Sequence, residues 1–424
     1  MLERLLRIIE KLIPKRLYRF LQPAYHYALA LMGAVIYRFP SRRLTVIFIT
    51  GTKGKSSTAE ILNGILEASG TKTALLGTIR FKIGDKSTRN LRKMTIPGRF
   101  FVQKFLRDAV TAGCTHAIIE MTSEGAKQFR HLFIDFDALI FTNLAPEHIE
   151  SHGSYEAYRD AKLSIAYALA TSRKPQRRMI ANTDDKEAEK FLSIPRVNPI
   201  PFSLNDAKDL VVDEGHVVFS FRGTRIESML GGKFNVYNML GAATCAEALG
   251  ISLGAIARGI ADTKSIAGRM EHIDAGQSFP VIVDYAHTPD SLLAIYAAFQ
   301  GHQNICVLGN TGGGRDKWKR RVMGALAEEN CSEIILTNED PYDEDPRNIV
   351  NEMADGMKKI KPHIILDRRE AIAHAISLAK KYNKPALLIT GKGTDPFIMG
   401  PNGTRLPWDD RRVAEEELRK VSGA

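Results

Sequence analysis

The chain has 424 residues, with 59 Lys and Arg against 48 Asp and Glu, 44% hydrophobic and 25% charged residues. That length suggests two or three domains with cores of their own, and the composition excludes a disordered, collagen-like or polytopic membrane protein. Cys114, Cys245, Cys306 and Cys331 stand far apart with no C-x-x-C pair, which argues against a disulfide scaffold or zinc ribbon and for a reducing cytoplasm.

The net charge of +11 is uneven. Residues 1–43 hold nine basic and two acidic side chains, a local +7, and the other 381 carry 50 basic and 46 acidic ones. A general nucleic-acid surface is therefore not expected. Residues 1–14 read as a helix with a wide apolar face and interspersed basic residues. A second apolar run, 24–39, stops at Pro40 and as a helix would reach about 24 Å, short of a membrane crossing. No secretory cleavage site follows it. Two readings stay open for this segment: helices packed on the next domain, or a basic anchor (residues 1–39) lying on an anionic membrane surface.

From residue 44 strands and helices alternate. Strand-like runs at 44–50, 117–120 and 138–142, with a helix over 57–68, predict βαβ units and a largely parallel sheet. Residues 210–228 alternate apolar and polar and predict a small antiparallel appendage. A second α/β series runs through 281–284, 305–308, 333–336, 363–366 and 386–389. We expect an N-terminal helical segment (1–43), a central domain (44–266) and a C-terminal domain (267–424).

The strongest chemical signal is Gly51-Thr52-Lys53-Gly54-Lys55-Ser56-Ser57 between a strand and a helix. Small residues there let backbone N–H groups approach phosphate oxygens at a helix N-terminus. Lys55 would reach the terminal phosphates, and the Ser56 hydroxyl could ligate Mg²⁺.

This loop, shortened relative to G-x-x-x-x-G-K-[ST], resembles that of the Mur ligases, G-T-x-G-K-[ST]. The resemblance extends to Glu120 in Ile119-Glu120-Met121-Thr122-Ser123, to Phe141-Thr142-Asn143-Leu144 with Glu147-His148, to Tyr158 and Lys162, and to Asn235 and Asn238. It continues in Gly268-Arg269-Met270-Glu271, in Asp284-Tyr285-Ala286-His287-Thr288-Pro289-Asp290-Ser291 and in Gly312-Gly313-Gly314-Arg315-Asp316. The 284–291 segment is similar to the MurE branch rather than to folylpolyglutamate synthetases.

The resemblance implies an α/β fold: a P-loop-type ATPase domain with a mainly parallel sheet, then a Rossmann-like domain. It implies ATP-dependent amide-bond formation through an acyl phosphate in cell-wall synthesis. ATP would be held by residues 51–57, Asn238, Arg269 and Asp284. Two Mg²⁺ ions would be held by Ser56, Glu120, His148 and a carbamylated Lys162. Lys55, Lys162, His287 and Arg315 would act in catalysis. The acceptor would be muramoyl-peptide-like, met by Thr95 in Met94-Thr95-Ile96-Pro97. The amino acid would be met by Asn338, Asp340, Glu344, Lys392 and Asp395.

Where diaminopimelate-adding relatives carry D-N-P-R, this chain has Glu339-Asp340-Pro341-Tyr342, so L-lysine or another diamine is expected. Full MurE enzymes carry a UDP-binding domain ahead of the loop. Residues 1–23 are too short for one, so an acceptor held differently, as a lipid-linked muramoyl-peptide, is a further expectation. A cytoplasmic monomer, peripheral on the membrane, is the implied state. Two other classes remain open: a polyglutamate- or cyanophycin-type amide ligase, and a non-catalytic nucleotide-binding scaffold on a membrane surface.

Overall fold

The computed structural model describes residues 15–147 and 149–422. The helix expected over 1–14 and His148 lie outside them. The run expected as a helix over 24–39 is the later part of a longer helix, Lys15–Ile36, which includes Pro23. It ends at Ile36 because Arg38 and Phe39 adopt left-handed backbone and Pro40 opens a 3-10 turn.

β1 (Thr45–Thr50) is the axis of the first sheet. Val46 and Phe48 pack into one layer, Ile47 and Ile49 into the other, and all four are fully buried. A strand covered on both faces reads as such a continuous apolar run. With β2 (Thr73–Leu76), β3 (Arg80–Ile83), β4 (Lys86–Arg89), β5 (His116–Glu120), β6 (Ala138–Phe141), β7 (Arg178–Asn182) and β8 (Asn198–Phe202), it forms a sheet ordered β4-β3-β2-β5-β1-β6-β7-β8. β2 to β8 run parallel, and β3 and β4 add an antiparallel edge. The sequence reading did not place β2–β4, β7 or β8; β4 is wholly exposed and so lacks an apolar signature.

Helices Arg99–Thr111 and Tyr155–Ala170 cover one face. Lys55–Ala68, Lys233–Ala248 and Leu253–Asp262 cover the other. The predicted appendage is a three-stranded antiparallel sheet, β9 (Lys208–Val212), β10 (Val217–Phe221) and β11 (Thr224–Ser228), whose Phe219, Phe221 and Ile226 join that second layer.

Ile266 closes this layer and Met270 opens the next; we take the join between the two units to lie there. The second sheet comprises β12 (Glu271–His272), β13 (Val281–Asp284), β14 (Gln303–Leu308), β15 (Glu333–Leu336), β16 (His363–Ile364) and β17 (Pro385–Thr390). Its order is β12-β13-β17-β14-β15-β16, parallel except for β12. A hairpin of β18 (Phe397–Met399) and β19 (Arg405–Pro407) follows. Inside this unit the fully buried Arg368 forms a two-pronged ion pair with Asp410 at 2.7 and 2.8 Å, so neither charge is stranded.

The sequence reading did not foresee one covalent link. Cys306 and Cys331 are joined in a disulfide, because β14 and the turn into β15 run side by side; Cys114 and Cys245 are buried free thiols.

The loop-bearing helix Lys55–Ala68 meets Leu253–Asp262 backbone to backbone. A Cβ on Gly259 would come 2.3 Å from Ile65 Cα, and one on Gly64 would come 2.5 Å from the Thr263 hydroxyl. Gly259→Ala is therefore expected to cost about 2 kcal/mol through overpacking, read as a lower thermal midpoint; an unchanged midpoint would show that the two helices part freely.

Candidate active site

The site forms where β1 lies between β5 and β6, since the chain leaves β1 toward the β2 side of the sheet and leaves β5 toward the β6 side, which opens a crevice at the strand ends. The register sets Ile49 against Glu120 and Thr50 against Phe141, so the loop after β1, the end of β5 and the segment after β6 converge.

The loop is fixed from several sides. Thr52 N donates to Asn143 O at 2.8 Å, Lys53 N donates to Asn143 Oδ1 at 2.9 Å, and the Thr142 hydroxyl donates to Lys53 O at 2.6 Å. Gly51 and Gly54 have positive φ, and a Cβ on either would strike Thr142 Oγ1 (2.0 Å) or Asn238 Oδ1 (2.3 Å). Glycine is required there on both counts. The sequence motif around Thr142 and Asn143 was visible, but their clamp on the loop was not.

Lys55 Nζ donates to the Gly51 and Thr52 carbonyls, each at 2.9 Å. Lys162, 1% exposed and 4.7 Å above the Tyr158 ring, donates to the same Gly51 carbonyl at 2.8 Å. Burial lowers the Lys55 pKa to about 8 against the pull of Glu120, and takes that of Lys162 well below the usual lysine range, helped by the Lys55 charge.

Glu120 accepts from Ser56 Oγ (2.9 Å), Thr78 N (2.8 Å) and Thr78 Oγ1 (3.0 Å). Thr78 in turn meets Thr95 Oγ1 at 2.9 Å. Thr78 was not singled out in the sequence; it links the acceptor-side threonine to the loop. A carboxylate and a hydroxyl side by side are hard oxygen donors that suit Mg²⁺. Among the described residues there is no cluster of three or more His, Cys, Asp or Glu placed to hold a metal, so most ligands of such an ion would be phosphate and water oxygens.

The second unit closes over this crevice. Arg269 lies 4.4 Å over the Tyr285 ring, with Nη2 3.5 Å from Ser56 Oγ. His287 sits between Tyr285 O (2.8 Å from Nδ1) and Glu147 Oε1 (3.1 Å from Nε2), and Glu147 also pairs with Lys53 at 3.3 Å. Burial and the Lys53 charge draw the imidazole pKa down to about 3, while Glu147 pulls the other way. Asn238 reaches the loop helix through Thr58 Oγ1 at 3.3 Å. Asp284 is committed to backbone: it accepts from Met270 N (2.6 Å) and Ala286 N (2.7 Å) and so fixes the join between the units. Arg315 is exposed on a loop whose Gly313 and Gly314 have positive φ.

The residues expected to meet the amino acid separate into two groups. Asp340 and Asp395 share the ammoniums of Lys392 (2.9 and 3.0 Å) and of Lys93 (2.5 and 3.1 Å), and Lys93 comes from the first unit. Asn338 and Glu344 line a neighbouring cleft of about 680 Å³ that also contains Tyr342 and Arg405. Glu344 is paired at 2.7 and 2.9 Å with the fully buried Arg320. Glu339 was not singled out; it is buried, accepts from Thr311 Oγ1 at 2.7 Å, and its Oε2 has no partner among the described residues. Its acidic type next to Asp340 was the available signal.

A phosphate-binding loop with buried lysines, roofed by a second α/β unit carrying cations, is the framework of an ATP-dependent enzyme, and the family matches below make it an amide ligase. Comparison with known proteins agrees. Residues 49–246 match the Mur ligase middle domain, and residues 268–393 match the Mur ligase glutamate ligase domain. The UDP-N-acetylmuramoyl-L-alanyl-D-glutamate–2,6-diaminopimelate ligase of Geobacillus kaustophilus is 34% identical over 409 residues, covering 93% of this chain and 82% of that one. A solved structure of a ligase of that name is similar at a TM-score of 0.61 and 28% identity, over 89% of this chain and 79% of that one. Mycobacterium tuberculosis folylpolyglutamate synthase shares the fold at a TM-score of 0.71 and 15% identity, covering 94% of this chain and 95% of its own. The chain belongs to the Mur ligase family.

Proposed function

We propose that the protein joins a diamino acid to a muramoyl-peptide-like acceptor at the expense of ATP, in cell-wall synthesis and on the cytoplasmic side of the membrane. The convergence of Lys55, Lys162, Ser56 and Glu120 on the loop, beneath His287 and Arg269, carries this reading. The acceptor carboxylate attacks the γ-phosphorus of ATP, and the bond to the ADP oxygen breaks, leaving an acyl phosphate. The amine then attacks the acyl carbon, and the tetrahedral intermediate expels phosphate.

Lys55 and the loop N–H groups offset the charge on the transferring group, and Arg269 and Arg315 approach from the second unit. Asn238 stands where the nucleotide's ribose and base would enter. Thr95, through Thr78, holds the acceptor against Glu120. Ser56 and Glu120, with His148, would hold Mg²⁺, which would supply positive charge against the phosphates. The depressed pKa of Lys162 fits a neutral amine that adds CO₂: an N–C bond forms, a proton leaves, and the donor becomes a carboxylate able to organise a second ion.

The diamino acid reading rests on acidic groups around the cleft and on the diaminopimelate-adding activity for which the relatives are named. Tyr342 stands where an arginine is expected for diaminopimelate, which favours L-lysine. Arg405, entering the same cleft from β19 and 5.6 Å over the Phe397 ring, offers a carboxylate partner from another element and favours diaminopimelate.

Phosphate release from ATP, measured across muramoyl-peptides and diamino acids, tests the reaction. Lys55→Ala is expected to lower it about a thousandfold, and full residual activity would overturn the mechanism. Lys162→Ala should be slower by about a hundredfold and partly rescued by added short carboxylic acids, which stand in for the carbamate; rescue absent at every concentration would exclude it. Arg405→Ala should raise KM for diaminopimelate about tenfold, near 1.4 kcal/mol, with KM for lysine unchanged; the reverse pattern would exclude Arg405 as the carboxylate partner.

A further inference from the structure

The helix Lys15–Ile36 lies along the Arg99–Thr111 helix. Ala30, Gly33 and Ala34 face inward, and a Cβ on Gly33 would sit 3.6 Å from both Gln103 Cγ and Phe100 Cα, so the contact is close and built from small residues. Arg107 adds hydrogen bonds to the Tyr37 carbonyl at 2.6 and 3.0 Å. The inward face is thus specified.

The outward face has the opposite character from an ordinary surface helix. Tyr25, Tyr27, Leu31, Met32, Val35 and Ile36 are 38–57% exposed. At 100° per residue these positions fall within one half of the helix circumference. No charged residue occurs between 24 and 37, so the whole outward half of that stretch is aromatic, aliphatic or alanine. Single exposed apolar residues are ordinary, but a contiguous stripe of this length marks an interaction surface.

Charge identifies the partner. Residues 15–43 contain Lys15, Arg16, Arg19, Arg38, Arg42 and Arg43 and not one acidic residue. Arg38, Arg42 and Arg43 are exposed at the C-terminal end of the stripe, and only Arg42 is tied down, to Asp135 at 3.1 Å. An apolar stripe with the exposed Arg38 and Arg43 at its C-terminal end, in a segment without acidic residues and with two tyrosines at its edge, matches the interface of an anionic bilayer: acyl chains take the apolar half and headgroup phosphates take the cations. A second copy of this chain would bring six more cations against these six. No helix among the described residues is long and apolar enough to cross a membrane, so the stripe lies along the surface.

We propose that the outward face of the Lys15–Ile36 helix docks this ligase, in the plane of the interface, onto a membrane rich in anionic phospholipid. This goes beyond the proposed reaction, since none of the stripe residues lies in the nucleotide or amino-acid site.

The test is co-flotation of the full chain with phosphatidylglycerol/phosphatidylcholine vesicles and with pure phosphatidylcholine vesicles, at low and high salt. Binding is expected to the anionic vesicles only and to weaken with salt. Leu31→Ser/Met32→Ser/Val35→Ser should lower the partition coefficient by roughly tenfold or more. Arg38→Gln and Arg43→Gln should each lower it roughly fivefold, the equivalent of about 1 kcal/mol per charge. Unchanged thermal melts check that the variants fold. A polarity-sensitive dye on Met32→Cys should shift to the blue when anionic vesicles are added, a readout independent of partition. Lack of binding by the wild type overturns the proposal, as does binding that the triple variant retains. A wild-type dimer in light scattering that the triple variant dissolves, without vesicle binding, overturns it in favour of a second copy. ATP-dependent phosphate release by the non-binding variants keeps this outcome separate from failure of the ligase reading.

Discussion

Two buried lysine side chains, Lys55 and Lys162, donate to one backbone oxygen, the carbonyl of Gly51, and the remainder of the site is arranged around that convergence. Burial disfavours the charged form of both, and the Lys55 charge further disfavours that of Lys162, so the amines sit below their usual pKa. A loop carrying the Lys55 ammonium at a helix N-terminus has a standing demand for negative charge close at hand. Glu120 supplies part of it from the end of β5, and a polyphosphate supplies more than any side chain could. The demand also constrains the backbone. Gly51 must turn its carbonyl toward the lysines in a conformation that leaves no room for a Cβ beside Thr142. The clamp by Thr142 and Asn143 holds this turn in register with the N-terminus of the Lys55–Ala68 helix.

The same demand accounts for the way the second unit sits. Its contribution at the crevice is cationic or aromatic (Arg269, Tyr285, His287), and the acid that receives His287, Glu147, belongs to the first unit and already pairs with Lys53. Arg89 crosses in the other direction, to Asp409 and to the Thr394 carbonyl. Ion pairs joining the units thus include Glu147 with His287 at the crevice, Arg89 with Asp409, and Glu214 of the antiparallel appendage with His302. Asp284, with both oxygens on backbone N–H groups, fixes the angle at which the chain enters the second sheet.

The fold was largely legible because both sheets are buried on two faces, and their strands read as short β-branched runs at the spacing of βαβ units. The edge strands were not: β4 carries Lys86, Ser87, Thr88 and Arg89, which alternate nothing, and its one strand partner among the described residues is β3. The loop and the carboxylate Glu120 were legible because each ends a strand. Thr78 and Lys93 were not, because their roles depend on which strands are neighbours, and the β2–β3 hairpin that carries Thr78 gives no signal of its own. The Cys306–Cys331 bond was hidden for the same reason: 25 residues separate the two in the chain, whereas adjacent strands bring their Cα atoms to 6.1 Å.

The amino-acid end of the site shows how tertiary structure changes a charge argument. In sequence, Asp340 and Asp395 are acids awaiting a basic substrate. In the structure they are balanced, two carboxylates against two ammoniums. Lys392 is fully buried and also donates to Phe397 O at 2.6 Å, so removing it would leave buried acceptors unpaired. Lys93 is different. Its side chain is 16% exposed, it reaches in from the other unit, and its departure leaves an ammonium free to be hydrated. If a substrate ammonium uses these acids, Lys93 is the group it replaces, and the exchange breaks a contact between the units at the moment the amino acid binds. Recognition of the diamino acid and the position of the second unit are then one equilibrium, set by which ammonium holds Asp340.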